Sequence, residues 1–399
     1  MIKSRVGEDM IKQIRRNLHD LDKPLLFVTV AFFLFGLFNI LTASSREAVV
    51  RYDASMYHYF IQQLKMLSIG FVGFLIIINI DSKNYPKWAF FLFIAILLLL
   101  LYLSFAGTEH KGAKNWVNIA GFSFQPSEFA KPIIIVSLAC FFDLFGKKLK
   151  NKKIAHYDMI SVVLIIGLLI PVIVFLQKDF GTMLILMTIF FVMFFASPIL
   201  RIEKLKTFFL LIGLGIVACS MMIMVKGYIL SPAQMARFDF FNPCSKYEKG
   251  GYQVCNGFIA FNDGGLWGLG IGKSKQKYSY IPEPHTDSVF AIIGEEWGFL
   301  KSTFIFIVYA YILKRILDLS AKASRVRGKF ICLGVATYIF SHILINLGGL
   351  FGVIPLTGVP LPFLSYGGSF AISLIGSLGL VQRVHIETKN QKINVGGRI

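Results

Sequence analysis

A chain of 399 residues would suit two or three soluble domains by length, but only 16% of it is charged and 55% is hydrophobic, too little charge to cover soluble surfaces. A net charge of +19 raises nucleic-acid binding, and the pattern argues against it. No basic, aromatic-interleaved domain accompanies the charge, and Lys and Arg flanking apolar runs set orientation and meet anionic headgroups.

Apolar runs long enough to cross about 30 Å of hydrocarbon recur along the chain. The expected fold is therefore an all-α polytopic membrane protein of about ten transmembrane helices. Residues 1–24 are too polar for a signal sequence. Met10, Ile14, Leu18 and Leu21 share a helical face opposite basic residues, which predicts a short helix anchored on the cytoplasmic leaflet. Spans are expected at 25–43, 63–80, 88–106, 132–146, 158–176, 180–197, 207–225, 288–312, 330–348 and 366–382. The division is thus an N-terminal segment 1–24, a transmembrane domain 25–382 with one large outside loop at 226–287, and a tail 383–399. An even number of spans puts both termini on one side. With that side cytoplasmic, the inside segments hold 26 of the 41 Lys and Arg. Of the other 15, seven lie in the long loop, which is too long for the positive-inside rule to weigh heavily.

Polar residues that a bilayer should exclude mark function in such a protein, and here they gather in three clusters on the outside. The first runs from Lys111, Lys114 and Trp116 to Gln125-Pro126-Ser127-Glu128 and Lys131. Glu128 and Lys131, three apart at a helix start, are spaced to pair on one face, as a structural lock or as part of a site. The second is the long loop, with Arg237, the alternating glycines Gly264 to Gly272, then Lys273, Lys275, Gln276 and Lys277, and finally His285 and Asp287. No strand precedes these glycines, so they are not a nucleotide loop. They suggest close approach of backbone to a bulky ligand, with the lysines offered to phosphates. Asp287 stands at the start of an apolar helix, where an aspartate is often only a cap. Glu295 and Glu296 lie two turns further on and are expected to pair structurally. The third cluster joins the last two spans. His342 and Asn346 share a face, and Pro355 to Ser369, including Ser365, is rich in Gly and Pro. At membrane depth such broken backbone is tolerated where it lines a cavity. Cys140, Cys219 and Cys332 read as small apolar residues. Cys244 and Cys255 share an oxidising compartment that permits a disulfide, and with no histidine near them they do not make a zinc site.

The stretches KGAKNWVNIAGFSFQPSEFAK, QKDFGT, GGLWGLGIGKSKQKYSYIPEPHTD, FAIIGEE and PLTGVPLPFLSYGGS resemble, in order, the signatures of the SEDS family (shape, elongation, division and sporulation). They span residues 111–369. The run before PEPHTD is most similar to the division branch, or its sporulation paralogue, and less so to the elongation branch. Two departures stand out: Lys178 stands where the family has proline, and Ser288 where it has phenylalanine. The resemblance implies a peptidoglycan glycosyltransferase that polymerises lipid II at the outer face of the cytoplasmic membrane, at the septum. Asp287 would be its essential acidic residue, and Lys111, Lys114, Trp116, Arg237, Lys275, Gln276, Lys277, His285 and Ser365 would meet substrate. Glu128, Lys131, Glu295, Glu296 and Asn346 would be supports. It also implies a class B penicillin-binding transpeptidase and other divisome membrane proteins as partners. A divalent cation sharing the work is left open, with no ligand set legible. A lipid II flippase and a non-catalytic divisome scaffold are the rival readings.

Overall fold

This computed structural model describes residues 12–106, 108–110, 113–119, 122–150, 156–226, 242–247, 251–278 and 280–396. A short helix, α1, covers 12–19. The long helices follow as α2 (Lys23–Tyr52), α3 (His58–Asn79), α4 (Tyr85–Ala106), α5 (Pro126–Lys150), α6 (His156–Leu176), α7 (Phe180–Ala196) and α8 (Arg201–Lys226). After the loop segment come α9 (Tyr252–Gly264), α10 (Val289–Lys322), α11 (Val326–Leu350) and α12 (Gly368–Gly396). Among the described residues, eight helices are long and apolar enough to cross a membrane. Two further expected spans coincide with α7, an apolar helix of 17 residues, and with α10. The latter is interrupted at Gly298, whose φ of 79° is left-handed. Large apolar side chains face outward, including Phe90 at 72% and Phe105 at 86% exposure on α4 and Met224 at 84% on α8. Water would penalise such a surface and lipid would not.

The described residues between Thr108 and Phe124 are not helical. They form a small antiparallel sheet of β1 (Thr108–His110), β2 (Ala113–Ile119) and β3 (Phe122–Phe124), in the order β1-β2-β3. Val117 pairs with Phe124 and Ile119 with Phe122, a tight hairpin that delivers the chain to Pro126 at the start of α5. The packed centre is built from α5, α7 and α11. Ile134, Ile135, Leu138, Phe190, Phe194, Ile331, Val335 and Tyr338 are all fully buried there.

At one end of the bundle the chain is clasped by polar contacts. Asp22 caps α2, accepting from Leu25 N, and takes a two-pronged contact from Arg315 of α10 at 3.1 and 2.7 Å. Lys389 lies 2.6 Å from Asp20, and its hydrogen bond holds that carboxyl below the usual carboxylate range. Arg16 reaches Asn390 at 3.0 Å and Asn17 reaches Asn79 at 2.9 Å. So α1 is more than a surface anchor: it is tied to α3 and α12. Residues 383–396, expected as a tail, continue α12, with Arg383 donating to Ile78 O at 3.0 Å and bonded to Glu387.

Candidate functional site

The three polar clusters of the sequence meet at the opposite end. Ser288 is the N-cap of α10 and makes no side-chain capping bond, so Asp287 is not the helix cap. Gln253 of α9 donates from Nε2 to Asp287 Oδ1 at 3.2 Å and to Ser288 Oγ at 2.8 Å. Thr286 Oγ1 lies 3.3 Å from the same carboxylate oxygen. Asn346 of α11 fixes the backbone beneath, donating to Asp287 O and to Val359 O, each at 2.7 Å. Gly358, at φ 75°, leaves room on the other side: a Cβ there would sit 3.9 Å from Asp287 Oδ2. Two residues earlier, His285 is buried with its ring 4.1 Å from that of Tyr59 and 5.3 Å from that of Tyr366. Its Nδ1 approaches Glu47 Oε2 to 3.3 Å, and its carbonyl accepts from Tyr366 N. The aspartate therefore stands on a backbone pinned from α2, α3, α11 and the segment before α12.

Asp287 opens onto a cavity of about 660 Å³. The start of α3 lines it with Tyr59 and Gln62, the sheet with Asn115 and Trp116, and the turn between α6 and α7 with Lys178 and Asp179. Gln253, Glu283, His285, the loop Leu356–Pro360 and residues 366–370 complete the wall. The broken backbone at 355–367 lines this cavity, as the density of Gly and Pro predicted. Asp179 organises one side: it caps α7 through Thr182 N and accepts from Asn115 Nδ2 at 2.7 Å and Gln125 Nε2 at 3.0 Å. Below the floor, Lys131 is fully buried, 2.7 Å from Glu128 Oε1 and 3.0 Å from His342 Nε2. His342 Nδ1 lies 3.0 Å from Pro360 O, so it carries the proton, and Nε2 accepts from Lys131. Two buried oxygens on the cavity wall, Asn115 Oδ1 and Thr357 Oγ1, have no partner among the described residues. Unpaired buried acceptors at a cavity surface are places for a polar ligand.

Several predicted substrate contacts lie elsewhere. Lys277 is buried, with Nζ 2.9 Å from Glu296 Oε1 and 2.7 Å from Gly272 O, and it is absent from the Asp287 cavity. It borders a second, smaller cavity of about 230 Å³ with Arg46 and Glu47. Lys275 is exposed, 3.5 Å from Asp263, and its backbone N donates to Glu295 Oε1 at 2.8 Å. Gln276 is buried and its N faces Glu295 as well. The segment 274–277 thus wraps the two glutamates inside α10, satisfying charges that burial would otherwise make costly. Two of the alternating glycines approach a helix backbone: a Cβ at Gly264 would meet Gly294 O at 2.3 Å and one at Gly268 would meet Glu296 O at 2.4 Å, while one at Gly298 would meet Gly268 N at 2.3 Å. Leu269 and Gly270 donate to the carbonyls of Glu295 and Glu296 at the break in α10. Ser365 is buried and accepts from Leu361 N at 2.8 Å, closing a turn behind the wall. Trp116, His285 and Asp287 do share the cavity. Lys111 and Arg237 lie outside the described residues, as does the Lys114 side chain. Cys244 and Cys255 form a disulfide, which fastens the start of α9 two residues beyond Gln253. Among the described residues no group of His, Cys, Asp and Glu could hold a metal ion.

The family model described as cell cycle protein, FtsW/RodA/SpoVE, matches residues 23–390. The chain belongs to this family. The probable peptidoglycan glycosyltransferase FtsW of Bacillus subtilis is 32% identical over 94% of this chain and 93% of its own length. The stage V sporulation protein E of the same organism is 30% identical over 91% and 96%. A solved structure described as coordinating polymerization and crosslinking in a peptidoglycan synthase complex superposes with a TM-score of 0.71. It is 26% identical and covers 92% of this chain and 97% of the other. The rod shape determining protein RodA of Thermus thermophilus superposes at 0.65, with 25% identity over 92% and 96%.

Of the two departures noted in the sequence, Lys178 lines this cavity and Ser288 is buried next to Asp287. Lys178 has a φ of 65°, a left-handed conformation closed to proline, so the turn here is not one a proline could make. Ser288 is fully buried and its hydroxyl accepts from Gln253, adding a polar group beside Asp287 where a phenylalanine ring would have none.

Proposed function

We propose that this FtsW-type protein is a glycosyltransferase that polymerises lipid II into glycan strands at the outer face of the cytoplasmic membrane during cell division. The observation that carries the reading is one carboxylate, Asp287, held by Gln253 at the wall of a large polar cavity. Asp287 accepts the proton of the acceptor sugar hydroxyl as that oxygen attacks the anomeric carbon of the donor. The new glycosidic C–O bond forms as the C–O bond to the diphosphate breaks. Polyprenyl diphosphate leaves with the electron pair and needs charge stabilisation, not protonation, so one carboxylate suffices where glycosidases use two. Asn346 and Gln253 hold the base in place, and His285 packs beside it. Ten spans, with both termini cytoplasmic, would put the cavity at the outer leaflet where lipid II is used. The relative solved as a peptidoglycan synthase complex that couples polymerization to crosslinking supports a crosslinking partner, which we assign as a class B penicillin-binding transpeptidase acting at the septum.

The test is glycan strand formation from lipid II by purified protein with its transpeptidase partner. Asp287→Asn keeps the shape and cannot accept the proton, so the rate should fall about 10²–10⁴-fold while expression and partner binding persist. An Asn variant as fast as wild type removes Asp287 as the base. Wild-type protein that makes no polymer returns the chain to the flippase or scaffold reading.

A further inference from the structure

The reaction proposed above leaves a diphosphate in a cavity from which two of the expected cations, Lys275 and Lys277, are turned away, Lys111, Arg237 and the Lys114 side chain lying outside the described residues. Among the described lining residues there is a single lysine or arginine, Lys178, against the carboxylates of Glu128, Asp179, Glu283 and Asp287. Its two neighbours are pinned. Gln177 is buried and donates to Leu100 O at 2.7 Å, and Asp179 is held by Asn115 and Gln125. Lys178 N donates to Phe175 O at 2.9 Å, and its left-handed backbone turns it out between the ends of α6 and α7. The residue is exposed, and its ammonium has no hydrogen bond or ion pair among the described residues. This turn belongs to the same wall as the base. A Cβ at Gly181 would lie 3.1 Å from Thr357 Cβ, and one at Gly358, the next residue, 3.9 Å from Asp287 Oδ2.

We infer that Lys178 is a substrate-positioning residue that contacts the diphosphate of the lipid-linked substrate. The inference rests on the glycosyltransferase reading. A rigid turn places the Cα, and the uncommitted ammonium supplies charge at a cavity whose other charged lining residues, among those described, are carboxylates. An anionic ligand gains a charge-assisted hydrogen bond there, without first breaking an internal ion pair. A lysine at this place is this chain's departure from its family, so the contact would distinguish it from relatives with proline.

The test compares wild type, Lys178→Gln and Lys178→Arg as full-length protein with the transpeptidase partner. Two quantities are read: KM and kcat for lipid II polymerisation, and lipid II binding in an Asp287→Asn background where no turnover intervenes. Lys178→Gln should raise KM and weaken binding roughly tenfold, with kcat changed less and an unaltered melting temperature, and Lys178→Arg should restore most of the loss. Competition by polyprenyl diphosphate, which has no sugar or peptide, should weaken by the same factor. Unchanged KM and binding in the Gln variant overturn the inference, even with wild-type polymerisation intact. A loss toward lipid II without a loss toward polyprenyl diphosphate also overturns it, moving the contact to the peptide carboxylates. If wild type makes no polymer, the enzyme reading falls by itself, and the binding arm still decides Lys178.

Discussion

Asp287 and Gln253 come from opposite sides of a 34-residue separation and meet through one amide. A neutral donor to a charged acceptor is worth about 1.5–3 kcal/mol when it is lost from a buried site. Gln253→Met keeps the length and apolar body of the side chain and removes the amide. It should lower kcat roughly tenfold with KM for lipid II little changed, since the carboxylate is then misaimed and substrate contacts stay. A KM effect without a kcat effect would make Gln253 a substrate ligand instead. Asp287 was legible in the sequence because an acidic residue at the edge of an apolar helix, inside a family signature, is conspicuous. Gln253 and Asn115 fell inside the polar clusters but were not singled out, because a neutral amide carries neither charge nor a spacing signal, and Asp179 sat in a three-residue gap between spans. Lys277 misled for a physical reason. A lysine in a glycine-rich loop resembles a phosphate ligand, and its true partner Glu296 is 19 residues away across a helix start.

At the scale of elements, the sequence showed the Glu128–Lys131 spacing but could not show what lies across from it. His342, 211 residues on, joins the pair and links α5 to α11 and to Pro360 on the cavity wall. The rings of Tyr338 and Phe370 lie 5.6 and 5.9 Å from the ammonium. Such a group is held by mutual compensation. Lys131→Met strands a buried carboxylate and should cost about 3–5 kcal/mol, read as a fall in melting temperature in detergent. Glu128→Gln combined with Lys131→Met leaves no bare charge and should recover much of that loss. A double variant as unstable as the single would show that the lysine is needed for more than charge balance. The helix pattern itself was legible from apolar run length, and so was the broken segment before α12. The sheet at 108–124 was not, since it is short and its strands carry little alternation. The backbone partner of Gly264 and Gly268 was also hidden, because close approach to a helix backbone and close approach to a ligand demand the same residue.

For the whole molecule, the polar clasp and the cavity lie at opposite ends, and both chain ends belong to the clasp. Arg16 meets Asn390 and Asp20 meets Lys389, so the segments before α2 and at the end of α12 lie together, as the expected even number of crossings would require. The expected side follows from charge. Of 41 Lys and Arg, 26 fall in the segments on the clasp's side of the expected spans. Basic residues near span ends are retained in the cytoplasm. The two arguments are independent: one rests on contacts between the chain's ends, the other on counted charge. Together they predict that a fluorescent reporter at the C-terminus is folded and bright and that alkaline phosphatase fused there is inactive. The phosphatase inserted near Lys249 should be active, since that loop follows an odd number of crossings. An inactive insertion at Lys249 with a bright C-terminus would mean that the described bundle crosses the membrane fewer times than expected, with neither α7 nor the broken α10 spanning. Asp287 would then lie on the cytoplasmic side, where lipid II is made and not polymerised, and its assignment as a base acting on the outer leaflet would fall with the topology.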